Sequence, residues 1–393
     1  MYFVEEAGLA AAGANLREHK LLAGLPVVID EEGVLRPINR YLRARRFGDW
    51  KSFGAEYAKP ASTNTVKAAA RDLQNFLSYC KFNKIDWHVI QHGSISDPRS
   101  VKGYAYALFT GDWSFKPGPD GKRGEPLDRK TVSRRAFVAQ DFLIFAVAHG
   151  YRKASYDARP IAFGGQRRDK APLMFPVDTA VNAWFLAAQK QLPRNAYLGI
   201  KMMDEIGLRR SEVRFFRASL IEELLKAHAN ITLGRTYSLE IGEFTKGGHF
   251  RTLQIPGATL LAIQAYMSSR HGRAGALEEC RQFGAQAPDL LFFNSKTANA
   301  YDATYLYKCM QRVKPWPTGN WHPHLLRHRY ACKRLLSFFQ MQIRLGAGLR
   351  GDMVKPMFEA EMVRLQQELG HVSQETTEQY IQWVQPHVME LLT

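Results

Sequence analysis

Two stretches with helical periodicity constrain the fold of this chain most strongly. In residues 62–80 apolar side chains recur at steps of three and four, and Ser62 offers an N-cap. The same spacing recurs over residues 130–149, where a glycine follows as a stop. The intervening residues 116–126 are rich in proline and glycine and cannot extend either helix. We therefore predict a small helical domain over residues 59–162.

Local composition divides the rest of the chain into three parts. Residues 1–58 form an N-terminal extension whose role stays open, with an apparent strand at 25–29 and a basic aromatic run at 40–47. Residues 163–175 are glycine-rich and basic, which is typical of an exposed linker. Residues 176–393 are numerous enough to form a second domain with its own core.

The charge balance indicates a polyanionic partner. Lysine and arginine number 54 against 37 aspartate and glutamate, which gives a net charge of +17 and a pI near 9.7. An excess of this size favours nucleic acid. Composition alone leaves open the alternative that the charge only keeps the protein in solution.

Cysteine usage and hydropathy argue against several protein classes. The four cysteines are scattered without a CxxC pair, which disfavours a zinc ribbon and a disulfide framework and suits a reducing compartment. The N-terminus lacks the basic and apolar regions of a signal peptide, and no window reaches the about 18 consecutive apolar residues of a membrane span. We expect a cytoplasmic, DNA-associated protein with no membrane partner.

Three segments of the second domain carry candidate chemistry. Residues 207–212 open a helix that has an arginine and a carboxylate on one side. Residues 244–248 indicate a tight two-residue hairpin with Lys246 at its tip, flanked by alternating strand segments. His324 and Arg327 stand three positions apart and therefore one turn apart on the same helical face.

The C-terminal stretch completes this pattern. His371 follows a Leu-Gly pair and precedes Tyr380 by nine positions, with a polar turn and a helix start between them. The whole set in chain order is Arg209, Lys246, His324, Arg327, His371 and Tyr380. Its order, local context and final spacing resemble the catalytic pattern of the tyrosine recombinase (integrase) family.

The resemblance covers roughly residues 62–383 and is strongest from Leu208 onward. It implies a mainly α fold with a small antiparallel sheet, in which a helical core-binding domain and a catalytic domain form a C-shaped DNA clamp. It also implies a site-specific DNA recombinase that acts through a 3′-phosphotyrosine intermediate without metal or another cofactor. Double-stranded DNA with a specific site would be the substrate, bound by dimers that pair into tetramers, with accessory proteins as further partners.

The chemistry of strand cleavage assigns the nucleophile and the anion-binding groups. The phenol of Tyr380 would attack phosphorus and store the bond energy in a phosphotyrosine. Arg209 and Arg327 would grip the phosphate oxygens, because a planar guanidinium binds two oxygens and keeps its charge near neutral pH. The family places its first arginine directly after a Gly-Leu pair, which selects Arg209 over Arg210.

Proton transfer and orientation fall to the remaining groups. Lys246 would protonate the leaving 5′ oxygen, and His324 and His371 would donate hydrogen bonds or shuttle the tyrosine proton. Glu212 matches the acidic position that orients the site, although a structural salt bridge with Arg209 is the alternative. Two other histidines flank His324; His328 matches a supporting position, and a metal site here is disfavoured for want of nearby acidic or cysteine ligands.

Basic clusters outside this set are candidates for DNA contact, with a solvated basic face as the alternative. One cluster starts the helix after residue 128 and another lies in the linker. These residues are Arg129, Lys130, Arg134, Arg135, Arg167 and Arg168.

One departure from the family pattern concerns the 44 positions between Arg327 and His371, more than the family usually has. We predict an insertion over 338–368 that contacts DNA or a neighbouring protomer. The apolar tail 384–393 would dock either on its own domain or on the next protomer. A type IB topoisomerase and a non-catalytic DNA-binding protein of the same fold remain rival interpretations.

Overall fold

The computed structural model divides the chain into two compact units, residues 1–167 and 168–393. The structure describes residues 3–6, 24–113, 124–161, 178–228, 230–242, 244–245, 248–344, 351–370 and 384. No helix in this described part is both long and apolar enough to cross a membrane.

The first unit is a helical domain with a small antiparallel sheet of order β1-β2-β3. Its strands are β1 (Phe3–Glu6), β2 (Pro26–Asp30) and β3 (Gly33–Val34). Its helices are α1 (Arg36–Phe47), α2 (Thr63–Phe82), α3 (Val101–Thr110) and α4 (Arg129–Ala148).

The two periodic stretches form helices as predicted. The hydroxyl of Ser62 caps α2 by accepting from the backbone N–H of Thr65 at 3.2 Å, and Asp128 caps α4 through Thr131 at 3.0 Å. Their apolar faces meet in one core that also includes α3. Local sequence therefore determines these helices, because each has a capping side chain and an unbroken apolar face.

Part of the N-terminal extension 1–58, whose role the sequence leaves open, contributes to this core. Val28 of β2 and Ile38, Tyr41 and Leu42 of α1 are buried with the residues of α2 and α4. The Tyr41 hydroxyl donates to the buried carboxylate of Asp141 in α4 at 2.7 Å. The basic run at 40–47 thus lies on a helix whose apolar face completes the domain.

The second unit is mainly helical and contains a two-stranded antiparallel sheet. Its first elements are α5 (Asp178–Gln191), α6 (Arg194–Glu205), α7 (Arg210–Arg214), α8 (Ala218–Ala227), β4 (Thr236–Ile241) and β5 (Arg251–Pro256). They are followed by α9 (Gly257–Ser268), α10 (Arg273–Gln282), α11 (Tyr305–Arg312), α12 (Pro323–Arg344) and α13 (Gly351–Leu369).

Helix α6 lies at the centre of this unit and contacts α5, α7, α9, α11 and α12. Its residues from Ala196 to Met203 include six that are buried. A buried arginine of α12, Arg329, joins it to two other helices by donating to Asp204 of α6 and Asp178 of α5. This central helix leads directly into the turn at Gly207 that begins the candidate site.

One prediction about this unit is wrong in detail. The strands β4 and β5 are joined by residues 242–250, so the predicted two-residue hairpin is in fact a longer loop. The insertion over 338–368 stays a prediction; at its start α12 continues to Arg344, and Phe339 of this helix shares a core with Leu365 of α13. Helix α13 also packs against β5, which makes it part of the framework of the second unit.

Candidate active site

The carboxylate of Glu212 is the centre of the candidate site. Glu212 stands in the first turn of α7 and is fully buried. Its Oε2 accepts from the backbone N–H of Arg209 at 2.7 Å, which closes the start of the helix in the manner of a capping box. The side chain is therefore fixed by the helix start, and its oxygens face the arginines that converge from elsewhere in the chain.

Arg209 bridges this carboxylate to the end of α13. Its Nη1 donates to Glu212 Oε1 at 2.9 Å, and its Nη2 donates to the carbonyl of Gly370 at 2.9 Å. The side chain of Arg209 is 20% exposed. Arg209 is thus held in place while part of the guanidinium still reaches solvent.

Arg327 approaches the same carboxylate from α12. Its two terminal nitrogens donate to the carbonyls of Gly207 and Leu369, and Nη1 lies 3.9 Å from Glu212 Oε2. The side chain is only 1% exposed. Arg209 and Arg327 therefore lie beside the same carboxylate, with Arg327 covered in this arrangement, and their predicted role in binding phosphate stays a prediction.

A third arginine, which the sequence analysis did not single out, binds the carboxylate most closely. Arg251 at the start of β5 donates from Nη1 to Glu212 Oε1 at 2.8 Å and from Nη2 to Oε2 at 2.6 Å. Its Nη1 also lies 3.3 Å from the Leu369 carbonyl, and the side chain is 2% exposed. One signal in the sequence could have revealed it: Arg251 is in phase with the buried Leu253 and Ile255 along β5. A charged residue on the inward face of a strand requires a buried partner.

The electrostatics favour an ionised carboxylate and an incoming anion. Burial by itself raises the pKa of Glu212. This effect is outweighed by the hydrogen bonds and charge of Arg251, by the hydrogen bond from the Arg209 amide and by the charge of Arg327. The pKa is therefore held below its usual value of 4.5. Three guanidinium groups surround this one carboxylate, so the four side chains carry a formal charge of +2. A buried cluster with this excess charge attracts a negatively charged group.

The end of α13 is fixed by a second set of contacts. Tyr330 of α12 is buried, and its hydroxyl donates to the Glu368 carboxylate. Arg334, one turn further along α12, lies 3.7 Å from the same carboxylate. These contacts hold the main chain immediately before Leu369 and Gly370, whose carbonyls accept from the arginines.

Two glycines allow the backbone to come this close. Gly207 has φ of +73°, and a Cβ there would lie 2.4 Å from the ring of Tyr330. Gly370 has φ of +59°, and a Cβ would lie 3.3 Å from the Arg251 side chain. Only glycine combines this conformation with the space available.

The histidines of the site lie at the start of α12. His324 is exposed on the turn before Arg327, and its ring centroid lies 4.2 Å from that of the half-buried His328. His322 is half-buried as well, and burial lowers its pKa. Among the described residues no group of three histidine, cysteine or acidic side chains could hold a metal ion.

The loop predicted to carry the general acid is closed at its base by Thr245. The Thr245 hydroxyl lies 2.7 Å from the carbonyl oxygens of both Gly242 and His249, which stand on either side of the loop. The ring centroid of the preceding residue, Phe244, lies 5.6 Å from that of Phe216. Lys246 follows directly but lies outside the described residues, as do His371 and Tyr380. Their predicted roles stay predictions.

The residues predicted to contact DNA divide into two kinds. Arg129 and Lys130 are exposed at the start of α4, and the guanidinium of Arg129 lies 5.7 Å from the Phe109 ring. Arg134 and Arg135 instead form ion pairs with the buried Asp72 of α2. They help hold the helices together, a role that the sequence analysis did not predict. Two further candidates fall outside the described part of the chain: Arg167 and Arg168.

Comparison with known proteins gives the fold. No family model and no curated protein sequence matches this chain. Among solved structures it is similar to the XerH site-specific recombinase in a post-cleavage complex with palindromic difH substrate, with a TM-score of 0.53, 15% identity and coverage of 84% of this chain and 80% of that one.

Two integrase complexes with DNA also match. The Tn1549 transposon integrase with transposon right end DNA gives a TM-score of 0.49, 14% identity and coverage of 91% of this chain and 99% of that one. The lambda integrase dimer on a core site gives a TM-score of 0.47, 12% identity and coverage of 88% and 94%. The similarity to XerH confirms the predicted mainly α fold of the tyrosine recombinases, with two small antiparallel sheets where one was expected.

Proposed function

We propose, from a fold shared with the tyrosine recombinases, that this protein is a site-specific DNA recombinase that cleaves and rejoins strands through a covalent 3′-phosphotyrosine. The observation that carries the proposal is the convergence of Arg209 and Arg327, from distant parts of the chain, on the Glu212 carboxylate. A cluster with this excess positive charge suits the phosphodiester of DNA, whose charge grows as phosphorus is attacked.

The two arginines would meet the phosphate differently. Arg209 is partly exposed and can bind a non-bridging oxygen without moving. Arg327 is 1% exposed, so its direct contact with phosphate requires a local rearrangement when DNA binds. Until then its positive charge acts through space on the same position.

The remaining steps are assigned to residues by their chemistry and order in the chain. Tyr380 attacks phosphorus, and the departing 5′ oxygen takes a proton from Lys246. His324, which is exposed, and His371 donate hydrogen bonds to the phosphate or accept the phenol proton. Rejoining reverses these steps: a 5′ hydroxyl attacks the phosphotyrosine and the phenol leaves. The four tasks of this reaction, attack, charge neutralisation, protonation and positioning, need no metal.

The substrate would be duplex DNA with a specific site, bound by dimers and synapsed as tetramers. The exposed cations at the start of α4, Arg129 and Lys130, would position the duplex through its phosphates. Both units would therefore contribute to the affinity, which should weaken steeply with salt.

Recovery of the covalent intermediate from DNA of random sequence tests this function directly. The protein is incubated with a pool of nicked duplexes in EDTA, and complexes that resist denaturation are isolated and sequenced. We expect an adduct enriched in particular sequences, and mass spectrometry should find the nucleotide on Tyr380. The Tyr380→Phe variant should bind the same DNA without forming the adduct.

Tyr307→Phe is the matched control, since Tyr307 is a partly exposed tyrosine of α11 in the same unit. It should form the adduct at the wild-type rate. Absence of any adduct from the wild-type protein, or an adduct that persists in Tyr380→Phe, would contradict the proposal. Relaxation of supercoils without sequence enrichment would favour topoisomerase activity instead.

A further inference from the structure

Arg251 differs from the other arginines of the site in the way its side chain binds Glu212. Arg251 engages both carboxylate oxygens at once, at 2.8 and 2.6 Å, in the fork arrangement that suits a guanidinium. Its side chain is 2% exposed, so in this arrangement it has no direct access to a bound substrate. Its influence on Arg209 therefore passes through Glu212.

Glu212 and Arg209 are joined by a single side-chain hydrogen bond. Arg209 Nη1 donates to Oε1, and Arg209 Nη2 donates to the Gly370 carbonyl instead of to Oε2. Oε2 accepts from Arg251 Nη2 and from the Arg209 backbone. The carboxylate therefore has no place left for a second side-chain bond from Arg209.

We infer that Arg251 is a positioning residue: by occupying both oxygens of Glu212 it prevents this carboxylate from forming a fork with Arg209, which leaves the Arg209 guanidinium available to a phosphate. The inference rests on the proposed function only for its catalytic consequence, since the competition among the three side chains exists without substrate. Without Arg251, both oxygens of the carboxylate would gain a free acceptor site. Arg209, the nearest partly exposed cation, would then bind both.

Arg251 also connects the site to the loop that carries Lys246. It is the first residue of β5, directly after the loop 242–250, and its side chain reaches the Leu369 carbonyl at 3.3 Å. One side chain thus ties the strand behind this loop to the helix start at Glu212 and to the end of α13.

The first test measures the chemical accessibility of Arg209 and requires no DNA. Phenylglyoxal modifies exposed guanidinium groups, and peptide mass spectrometry follows each arginine separately. In Arg251→Gln we expect Arg209 to be modified about tenfold more slowly than in the wild type, as for one added charge-assisted hydrogen bond. A partly unfolded protein would show the opposite change, because unfolding exposes arginines.

Arg329→Gln is the matched control for the first test. Arg329 is another buried arginine of the same unit, paired with Asp204 and Asp178 away from Glu212. Its loss should destabilise the unit without slowing the modification of Arg209. An unchanged or faster modification of Arg209 in Arg251→Gln would overturn the inference.

The second test separates binding from chemistry on DNA that the wild-type protein cleaves. Arg251→Lys keeps the charge but cannot form a fork with the carboxylate. We expect its dissociation constant for DNA to stay within about twofold of wild type, while single-turnover cleavage slows about 10²-fold, as for a displaced catalytic group. Added guanidinium ion should restore part of the rate in Arg251→Ala but not in Arg329→Ala.

The outcomes of the two tests are distinguishable. If the wild-type protein forms no covalent adduct, the proposed function fails, and the phenylglyoxal result still decides the role of Arg251. If the adduct forms, equal cleavage by Arg251→Lys and wild type would overturn the inference alone. Parallel losses in affinity and cleavage rate, matched by Arg329→Lys, would show that Arg251 only supports the fold.

Discussion

Replacement of Glu212 by glutamine tests how much the carboxylate that Arg209, Arg251 and Arg327 surround contributes to stability. The substitution keeps the shape of the side chain but exchanges one acceptor oxygen for an amide. Whichever oxygen is replaced, two hydrogen bonds to it are lost, one from Arg251 and one from Arg209. At about 1.5–3 kcal/mol for each hydrogen bond to a charged group, the loss is about 3–6 kcal/mol.

An independent argument gives a similar value. Removal of one partner from a buried ion pair costs about 3–5 kcal/mol, because the remaining charge stays buried. Domains of this size unfold with a free energy of about 5–15 kcal/mol, so Glu212→Gln removes a large share of it. At about 2–4 °C per kcal/mol, the melting temperature of the second unit should fall on the order of 10 °C.

Calorimetry of the full-length protein is the appropriate measurement, with chemical denaturation at 25 °C as a check. Glu278→Gln serves as the control, since Glu278 forms an exposed ion pair with Arg281 at 3.2 Å. This control should change the free energy of unfolding by less than about 0.5 kcal/mol. A change within about 1 kcal/mol for Glu212→Gln would refute the argument that this carboxylate neutralises the buried arginines.

The same substitution should remove a pH dependence. The folded-state pKa of Glu212 is held below 4.5, so its stabilising effect is fully present above the ordinary carboxyl pKa. That effect is lost as the pH falls through the lower folded-state pKa. The difference in unfolding free energy between the wild type and Glu212→Gln should therefore shrink in acid, and a difference that grows on acidification would contradict the assignment.

Three further predictions concern the surroundings of the site and the first unit. In denaturant unfolding, Gly207→Ala should lower the free energy of unfolding more than Gly284→Ala does. Both glycines have positive φ, but only the Cβ added at 207 meets a ring, that of Tyr330. Equal losses of free energy would contradict this crowding. Tyr330→Phe should lower the free energy of unfolding by about 1–3 kcal/mol, since it leaves a half-buried carboxylate of α13 without its hydroxyl donor, and a neutral effect would contradict that contact. Arg129→Gln should reduce the salt dependence of DNA binding by about one phosphate, whereas Arg134→Gln should mainly lower the melting temperature of the first unit; the reverse would contradict the assignments.

The elements determined by local sequence were predicted well. The helices that contain 63–82 and 129–148 follow from apolar periodicity and from caps at Ser62 and Asp128, which are properties of neighbouring residues. His324 and Arg327, which the sequence analysis placed on one helical face, do lie on a helix, α12. These features need no knowledge of distant contacts.

The errors arise where distant parts of the chain meet. The loop 242–250 contains two adjacent glycines that suggest a tight turn, but the Thr245 hydroxyl closes the loop between carbonyls that local pattern does not relate. The ion pair between Arg134 and Asp72 was missed because the two residues are far apart in sequence. Arg251 was missed for the same reason, because only the fold brings it to Glu212.

The contacts of the Leu369 and Gly370 carbonyls limit where residues can be inserted into this sequence. The direction of a main-chain acceptor depends on the path of the backbone, and one residue added to a helix rotates everything after it by about 100°. Substitutions along the outer surface of α13 would leave the acceptors in place, whereas one extra residue between Glu368 and Leu369 would turn them away from the guanidinium groups that they bind. Chimeras that exchange segments with distant relatives should therefore keep the last turn of α13 and Gly370 intact.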